Sequence, residues 1–237
     1  MPEKHCVSFR GLEHAWRPGD VVLAVPEFEL SAGEKVFLQG SSGSGKSTLL
    51  GLIAGVFPVQ KGDVQVLGKS LQTVNGAQRD RLRAEEFGVI FQQFNLVPYL
   101  SLTENVLLPC QFSAARAART GATKPAQRDA AVALLDRLGL GDEASDGRPV
   151  AALSVGQQQR VAAARALIGS PSIVIADEPT SALDTTSRDA FIETLLTEAQ
   201  DASVLFVSHD IGLAPRFDRS ESMADLNTAL PYHVEEV

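Results

Sequence analysis

Eight consecutive residues, Gly40-Ser41-Ser42-Gly43-Ser44-Gly45-Lys46-Ser47, fit the pattern G-x-x-x-x-G-K-[ST]. Glycines let such a stretch curl until successive backbone N–H groups point inward and form an anion cradle. The chemistry this suits is the binding of a phosphate chain. In that reading Lys46 reaches the β- and γ-phosphates, Ser47 ligates Mg²⁺ through its hydroxyl, and Thr48 donates to the α-phosphate. The pattern gains its meaning from its neighbours. Residues 35–38 read as a strand and residues 46–56 as a helix, whose N-terminus adds partial positive charge. Without them, a Gly/Ser-rich loop could match by chance.

A divalent ion on a phosphate chain also needs a carboxylate. Ile173-Val174-Ile175-Ala176-Asp177-Glu178 supplies two in a row. The apolar run suits a strand buried on both faces, and active groups in such sheets gather at the strands' carboxyl ends. Asp177 is expected in the Mg²⁺ shell, and Glu178 is expected to polarise a water in line with the γ-phosphate. Taken alone, the pair is a solvated turn; beside a phosphate loop it becomes chemical. A further stretch, Leu153-Ser154-Val155-Gly156-Gln157-Gln158-Gln159-Arg160, has the residues of a second anion-binding turn and runs into an Ala-rich helix. One chain with two such turns raises the question of what the second one binds.

The elements that must position these residues fall into an α/β order. Strands are expected over residues 6–10, 21–30, 35–38, 63–67, 87–91, 173–176 and 203–207. Helical periodicity fills 96–169, with its loosest connection at 119–125, and an amphipathic helix is expected over 185–200. A helical block thus interrupts an α/β core whose sheet is mostly parallel. The composition agrees: 237 residues, 44% hydrophobic and 21% charged, form an ordinary globular chain. A net charge of −8 argues against a general nucleic-acid binder. Cys6 and Cys110 lack metal-ligand spacing and imply idle thiols in a reducing compartment. No apolar run has signal-peptide or membrane-span length, so the chain is expected to be soluble and held at any membrane by another protein.

Taken in order, the motifs resemble the ATP-binding subunit of ABC transporters: the phosphate loop, "FQQ" at 91–93, "LSVGQ" at 153–157, "ADEP" at 176–179, "SALD" at 181–184 and "SH" at 208–209. The resemblance spans about residues 7–215. It implies a single domain over 1–237: a P-loop NTPase core (about 1–95 and 170–237) with a mostly parallel sheet and an N-terminal antiparallel β portion, and an inserted α-helical subdomain (about 96–169). It implies ATP and Mg²⁺ as cofactors, and a head-to-tail dimer or paired subunit in which the signature turn of one copy caps the γ-phosphate held by the other. That answers the question of the second turn. Ser154 gives its hydroxyl, Gly156 its backbone N–H, and Gln157 belongs to the same contact set. Val155 stands where the family usually has Gly, which is harmless if its φ is negative and strained if positive.

The remaining matches are carried over singly. Gln92 is implied at the metal or attacking water, although a capping amide explains it alone. His209 is implied as the switch histidine on the γ-phosphate, although a polar loop residue is the plainer local reading. Asp184 is implied in coupling between sites, and a helix N-cap explains it equally well. Trp16 matches the aromatic that stacks on adenine, against core packing. "FQQFNLVPYLSLTENVLLP" at 91–109 resembles the lipoprotein-release, macrolide-export and cell-division branch. It implies an integral membrane permease subunit docking near 92–108 on the inner face of the cell membrane. The competing readings are an ABC-type ATPase acting on nucleic acid or ribosomes, and a P-loop small-molecule kinase. Residues 216–229, polar and without Gly, read as a shortened edge, a poorly ordered end or a partner-bound segment.

Overall fold

The structure, a computed structural model, describes residues 5–145 and 147–229. The chain forms two compact units, one from Met1–Arg83 with Val207–Val237 and the other from Ala84–Phe206. These boundaries differ from the divisions at 95 and 170 read from the sequence; the helical stretch 96–169 lies wholly within the second unit, together with the strands on either side of it.

In the first unit a long hairpin, β1 (His5–Arg17) and β2 (Asp20–Ser31), turns at Pro18-Gly19 with Gly19 at φ +84°. Val7, Phe9, Leu23, Val25 and Leu30 are buried along it. β4 (Lys61–Val66) pairs antiparallel with the other edge of β1, and β5 (Lys69–Ser70) follows, in the order β2-β1-β4-β5. β3 (Lys35–Gln39) pairs parallel with β9 (Arg219–Ser222), and α9 (Met223–Leu226) follows β9. The described part of the polar C-terminal stretch is therefore a short strand and a helical turn; residues 230–237 lie outside the described residues. Helix α1 (Lys46–Ile53) stops earlier than the expected residue 56, because Gly55 turns the backbone to φ +64° and Pro58 follows. α2 (Gly76–Glu86) buries only Leu82 and so shows no apolar stripe in the sequence.

The second unit carries β6 (Phe87–Ile90), β7 (Ile173–Asp177) and β8 (Ser203–Ser208) in that order, with β6 and β7 parallel. β7 is apolar on both faces: Ile173, Val174, Ile175 and Ala176 are all buried. Helices α3 (Leu102–Phe112), α4 (Ala114–Thr120), α5 (Lys124–Arg137), α6 (Gly141–Ser145), α7 (Val155–Leu167) and α8 (Thr185–Glu198) complete it. Their starts are written locally. Ser101 and Glu104 form a capping box, and Ser113 and Thr123 cap α4 and α5. The loose connection at 119–125 shrinks to residues 121–123, since α4 runs to Thr120 and α5 starts at Lys124.

One buried cation binds this unit together. Arg116, 2% exposed, donates to the carbonyls of Phe87, Ala166 and Ile168, joining α4 to the start of β6 and the end of α7. Burial without a neighbouring carboxylate bond pulls its pKa down to about 10. It remains charged at neutral pH, and the carbonyl dipoles replace its water.

Candidate active site

The phosphate loop leaves β3 at Gln39 and enters α1 at Lys46. Gly45 holds φ +96°, a conformation that side-chain-bearing residues rarely adopt, and no side chain caps the helix start. A helix N-terminus without a side-chain cap is the kind that suits an anion. A Cβ on Gly40 would lie 2.6 Å from Ser44 Oγ and 2.9 Å from Met223 Cγ, so a side chain at the loop's entry would force Ser44 and Met223 to shift. Ser44 Oγ donates to Ser41 O (2.8 Å), and Lys46 Nζ donates to Gly40 O (2.5 Å) and Ser41 O (2.8 Å). The ammonium lies over the loop it serves. Ser47 is exposed, and Thr48 is 9% exposed.

Trp16, near the end of β1, is 56% exposed and therefore not a core residue. Its ring meets His14 edge-on (centroids 4.7 Å, 83°) and Phe57 edge-on (4.9 Å, 88°). Gln60 holds the strand beneath: Ala15 N donates to Gln60 Oε1 (2.8 Å) and Gln60 Nε2 donates to Ala15 O (2.9 Å). An aromatic side chain braced on two rings, with more than half its surface open, offers a stacking platform. His209, exposed just after β8, lies in the same unit.

The other expected residues sit in the second unit. Asp177 ends β7, and Glu178, 9% exposed, follows at φ +46°. That conformation costs a non-glycine residue on the order of 1 kcal/mol and turns the chain sharply at the strand's carboxyl end. Gln92 is exposed in the turn after β6, where Phe94 and Asn95 both have positive φ (57° and 50°). Arg165 of α7 clamps this turn, donating to Phe94 O (2.5 Å) and Asn95 O (2.6 Å).

Ser154 is the N-cap of α7, with φ −63° and ψ 161°. Its Oγ accepts from Gln157 N (3.3 Å) while Gln157 Oε1 accepts from Ser154 N (3.0 Å). This capping box uses a lone pair of the serine and leaves its O–H to donate outward. Val155 is 49% exposed, opens the helix and is not among the positive-φ residues, so it carries no backbone strain. A Cβ on Gly156 would meet Leu183 Cδ2 at 3.5 Å, an ordinary contact. Buried Gln159 donates to Pro179 O, fastening α7 to the turn that holds Asp177 and Glu178. Asp184 caps α8, accepting from Ser187 N (3.0 Å) and Ser187 Oγ (2.6 Å). These bonds hold its carboxyl below the usual aspartate range.

The family described as ABC transporter matches residues 23–181. The lipoprotein-releasing system ATP-binding protein LolD of Hydrogenovibrio crunogenus is 41% identical over 225 residues, covering 93% of this chain and 94% of that one. The chain belongs to the ABC transporter family. The uncharacterized ABC transporter ATP-binding protein YbbA of Escherichia coli is 39% identical over 224 residues, with 92% and 94% covered. Among solved structures, the dimeric bacterial ABC transporter cassette MJ0796 shares 32% identity at a TM-score of 0.79, covering 91% of this chain and 93% of that one. The same cassette is known as a dimer in a post-hydrolysis state with ADP and phosphate. As an ABC transporter ATPase the chain binds and hydrolyses ATP, and its α/β fold, antiparallel N-terminal sheet included, is that of the family's cassette.

Sequence reasoning about this ABC transporter ATPase missed the residues that hold the motif residues in place. His14 and Phe57 brace Trp16, Arg165 clamps the Gln92 turn, and Gln159 ties the signature helix to the Glu178 turn. Phe57, Arg165 and Gln159 carry no local signal, because their contacts join residues far apart in the chain. His14 is the exception in chemistry: a histidine in an alternating strand, 2% exposed, could have been suspected from periodicity.

Proposed function

We propose that this chain is the ATP-hydrolysing subunit of a membrane complex and works as a head-to-tail pair at the inner face of the membrane. The observation that carries the reading is the signature turn: a serine and helix N-terminus face solvent, in a chain whose nucleotide already has a phosphate loop. A second copy's phosphates are the natural ligand for Ser154, Gly156 and Gln157, as the dimeric form of MJ0796 supports. The complete site then exists only in the pair, so ATP favours closure and hydrolysis permits opening.

Within that site Lys46 and the loop N–H groups neutralise the phosphates, and Trp16 stacks on the base. Ser47, Asp177 and Gln92 offer hydroxyl, carboxylate and amide oxygens, a donor set that fits Mg²⁺. Among the described residues no group of three or more His, Cys, Asp and Glu could hold a metal. When bound, the ion supplies charge neutralisation on the phosphate oxygens. Glu178 orients and polarises the attacking water, His209 contacts the γ-phosphate, and Asp184 lies at the boundary between copies.

The membrane partner docks in the second unit. A cavity of about 310 Å³ is lined by Phe87, Val89, Phe91, Asn95, Pro109, Phe112, Arg116 and Arg165, beside the Gln92 turn. Its walls are apolar, Phe112 is 79% exposed, and the half-buried guanidinium of Arg165 donates to the carbonyls of Phe94 and Asn95. A helix with an apolar anchor and a carboxylate fits it. No helix among the described residues is long and apolar enough to cross a membrane. The likeness to LolD supports the branch that performs lipoprotein release.

The test is Glu178→Gln. With ATP present the variant should accumulate as a stable dimer by light scattering and hydrolyse ATP at least about a hundredfold more slowly. A variant that stays monomeric and keeps full activity refutes the proposal.

A further inference from the structure

The C-terminal segment after β9 makes contacts that none of the nucleotide-binding motifs explains. β9 runs parallel beside β3 with Ser222 opposite Gln39, one residue before the phosphate loop. Met223, 1% exposed, then lies against Gly40, as the 2.9 Å approach of its Cγ to a Cβ built there shows. Four residues on, Asn227 Nδ2 donates to Val22 O (3.1 Å) and to Ser44 O (3.3 Å). Its Oδ1 accepts from Ala24 N (2.9 Å) and Ala229 N (3.1 Å). The same Nδ2 lies 3.4 Å from a Cβ built on Gly45, the left-handed residue that starts α1.

We propose that Asn227 is a positioning residue for nucleotide binding, fixing the phosphate loop through the Ser44 carbonyl and bracing it against strand β2. A primary amide has two N–H donors and one carbonyl acceptor, and here both donors and two lone-pair directions are used. Aspartate has the same shape and no donor, so it would set a carboxylate oxygen against the carbonyls of Val22 and Ser44. With Ser44 O held by Asn227 and Gly45 in its left-handed turn, the loop's N–H groups are aimed before the phosphates arrive. A preorganised anion cradle loses less freedom on binding and binds more tightly. The inference rests on the phosphate loop holding the nucleotide.

Calorimetric titration of the full chain with ADP tests it, alongside thermal melting without nucleotide. Asn227→Ala and Asn227→Asp should each weaken ADP binding about fivefold or more, the loss of roughly one structural hydrogen bond. For Asn227→Asp the loss should persist at high salt, where repulsion between carboxylate and phosphate is screened. Asn227→Asp also keeps both accepted bonds, so it reads the donated ones even where the alanine variant folds poorly. Thr228→Val is the control, because Thr228 Oγ1 donates to Ala24 O (3.1 Å) without touching the loop. It should bind ADP within about twofold of the parent even if it melts earlier. Parent-like ADP affinity in Asn227→Asp, or an equal loss in Thr228→Val, overturns the proposal. A parent chain that binds no ADP refutes the nucleotide-site reading itself.

Discussion

His14 shows what one residue can add to the behaviour of the chain. Its ring is 2% exposed, and neither nitrogen has a hydrogen-bond partner. It packs against Trp16 and, at 5.9 Å, against Phe57. Burial pushes its pKa below the ordinary 6.5, so the folded ring stays neutral where the unfolded one takes a proton. The unfolded state therefore binds more protons below pH 6.5, and stability falls as pH drops through that value. Melting temperature should decline between about pH 7 and pH 5.5, above the range where carboxylates titrate, and His14→Leu should remove that part of the decline. A variant that melts with the parent's pH dependence would place the effect elsewhere.

At the scale of elements, two arginines do different work on the same helix-and-strand layer. Arg116 is enclosed and satisfies three buried carbonyls, those of Phe87, Ala166 and Ile168. Arg116→Met would strand them without water and should cost about 3 kcal/mol or more in urea unfolding. Arg165 is partly exposed, and its partners Phe94 O and Asn95 O lie in a surface turn that water can reach. Arg165→Met should cost less than about 1.5 kcal/mol, while the amides of residues 92–95 exchange hydrogen faster. A large global loss for Arg165→Met, or none for Arg116→Met, would reverse this division. The contact matters for coupling, because Arg165 sits on the helix that Ser154 caps. Motion of the signature turn and motion of the Gln92 turn share one rigid element.

At the scale of the whole molecule the head-to-tail pair makes a prediction that no single-chain mechanism shares. Lys46→Ala disables the phosphate loop, and Ser154→Arg blocks the signature turn; each variant alone gives pairs with no intact site. Mixed in equal amounts, half the pairs contain one of each, and each mixed pair has one site built from an unaltered loop and an unaltered signature. ATPase activity should return to about a quarter of the parent rate if the two sites act independently. Inactive mixtures that still form mixed pairs would mean that both sites must fire together. Activity in Ser154→Arg alone would mean that the lid is dispensable.

Residues close together in the sequence were legible from it. The phosphate loop, the apolar run into Asp177 and Glu178, and the Ser154 turn are each short enough to be read as motifs, the last with the help of the family resemblance, and strand and helix periodicity placed them on an α/β fold. The start of α8 was legible for the same reason, since Asp184 as an N-cap bonds within three residues of itself. Tertiary structure alone decided the rest. That Val155 is unstrained, that Trp16 stands open on His14 and Phe57, and that Asn227 reaches Ser44 across 183 residues are long-range facts. A side chain's partner across the fold depends on how every intervening element packs, and no local pattern of residue types encodes it.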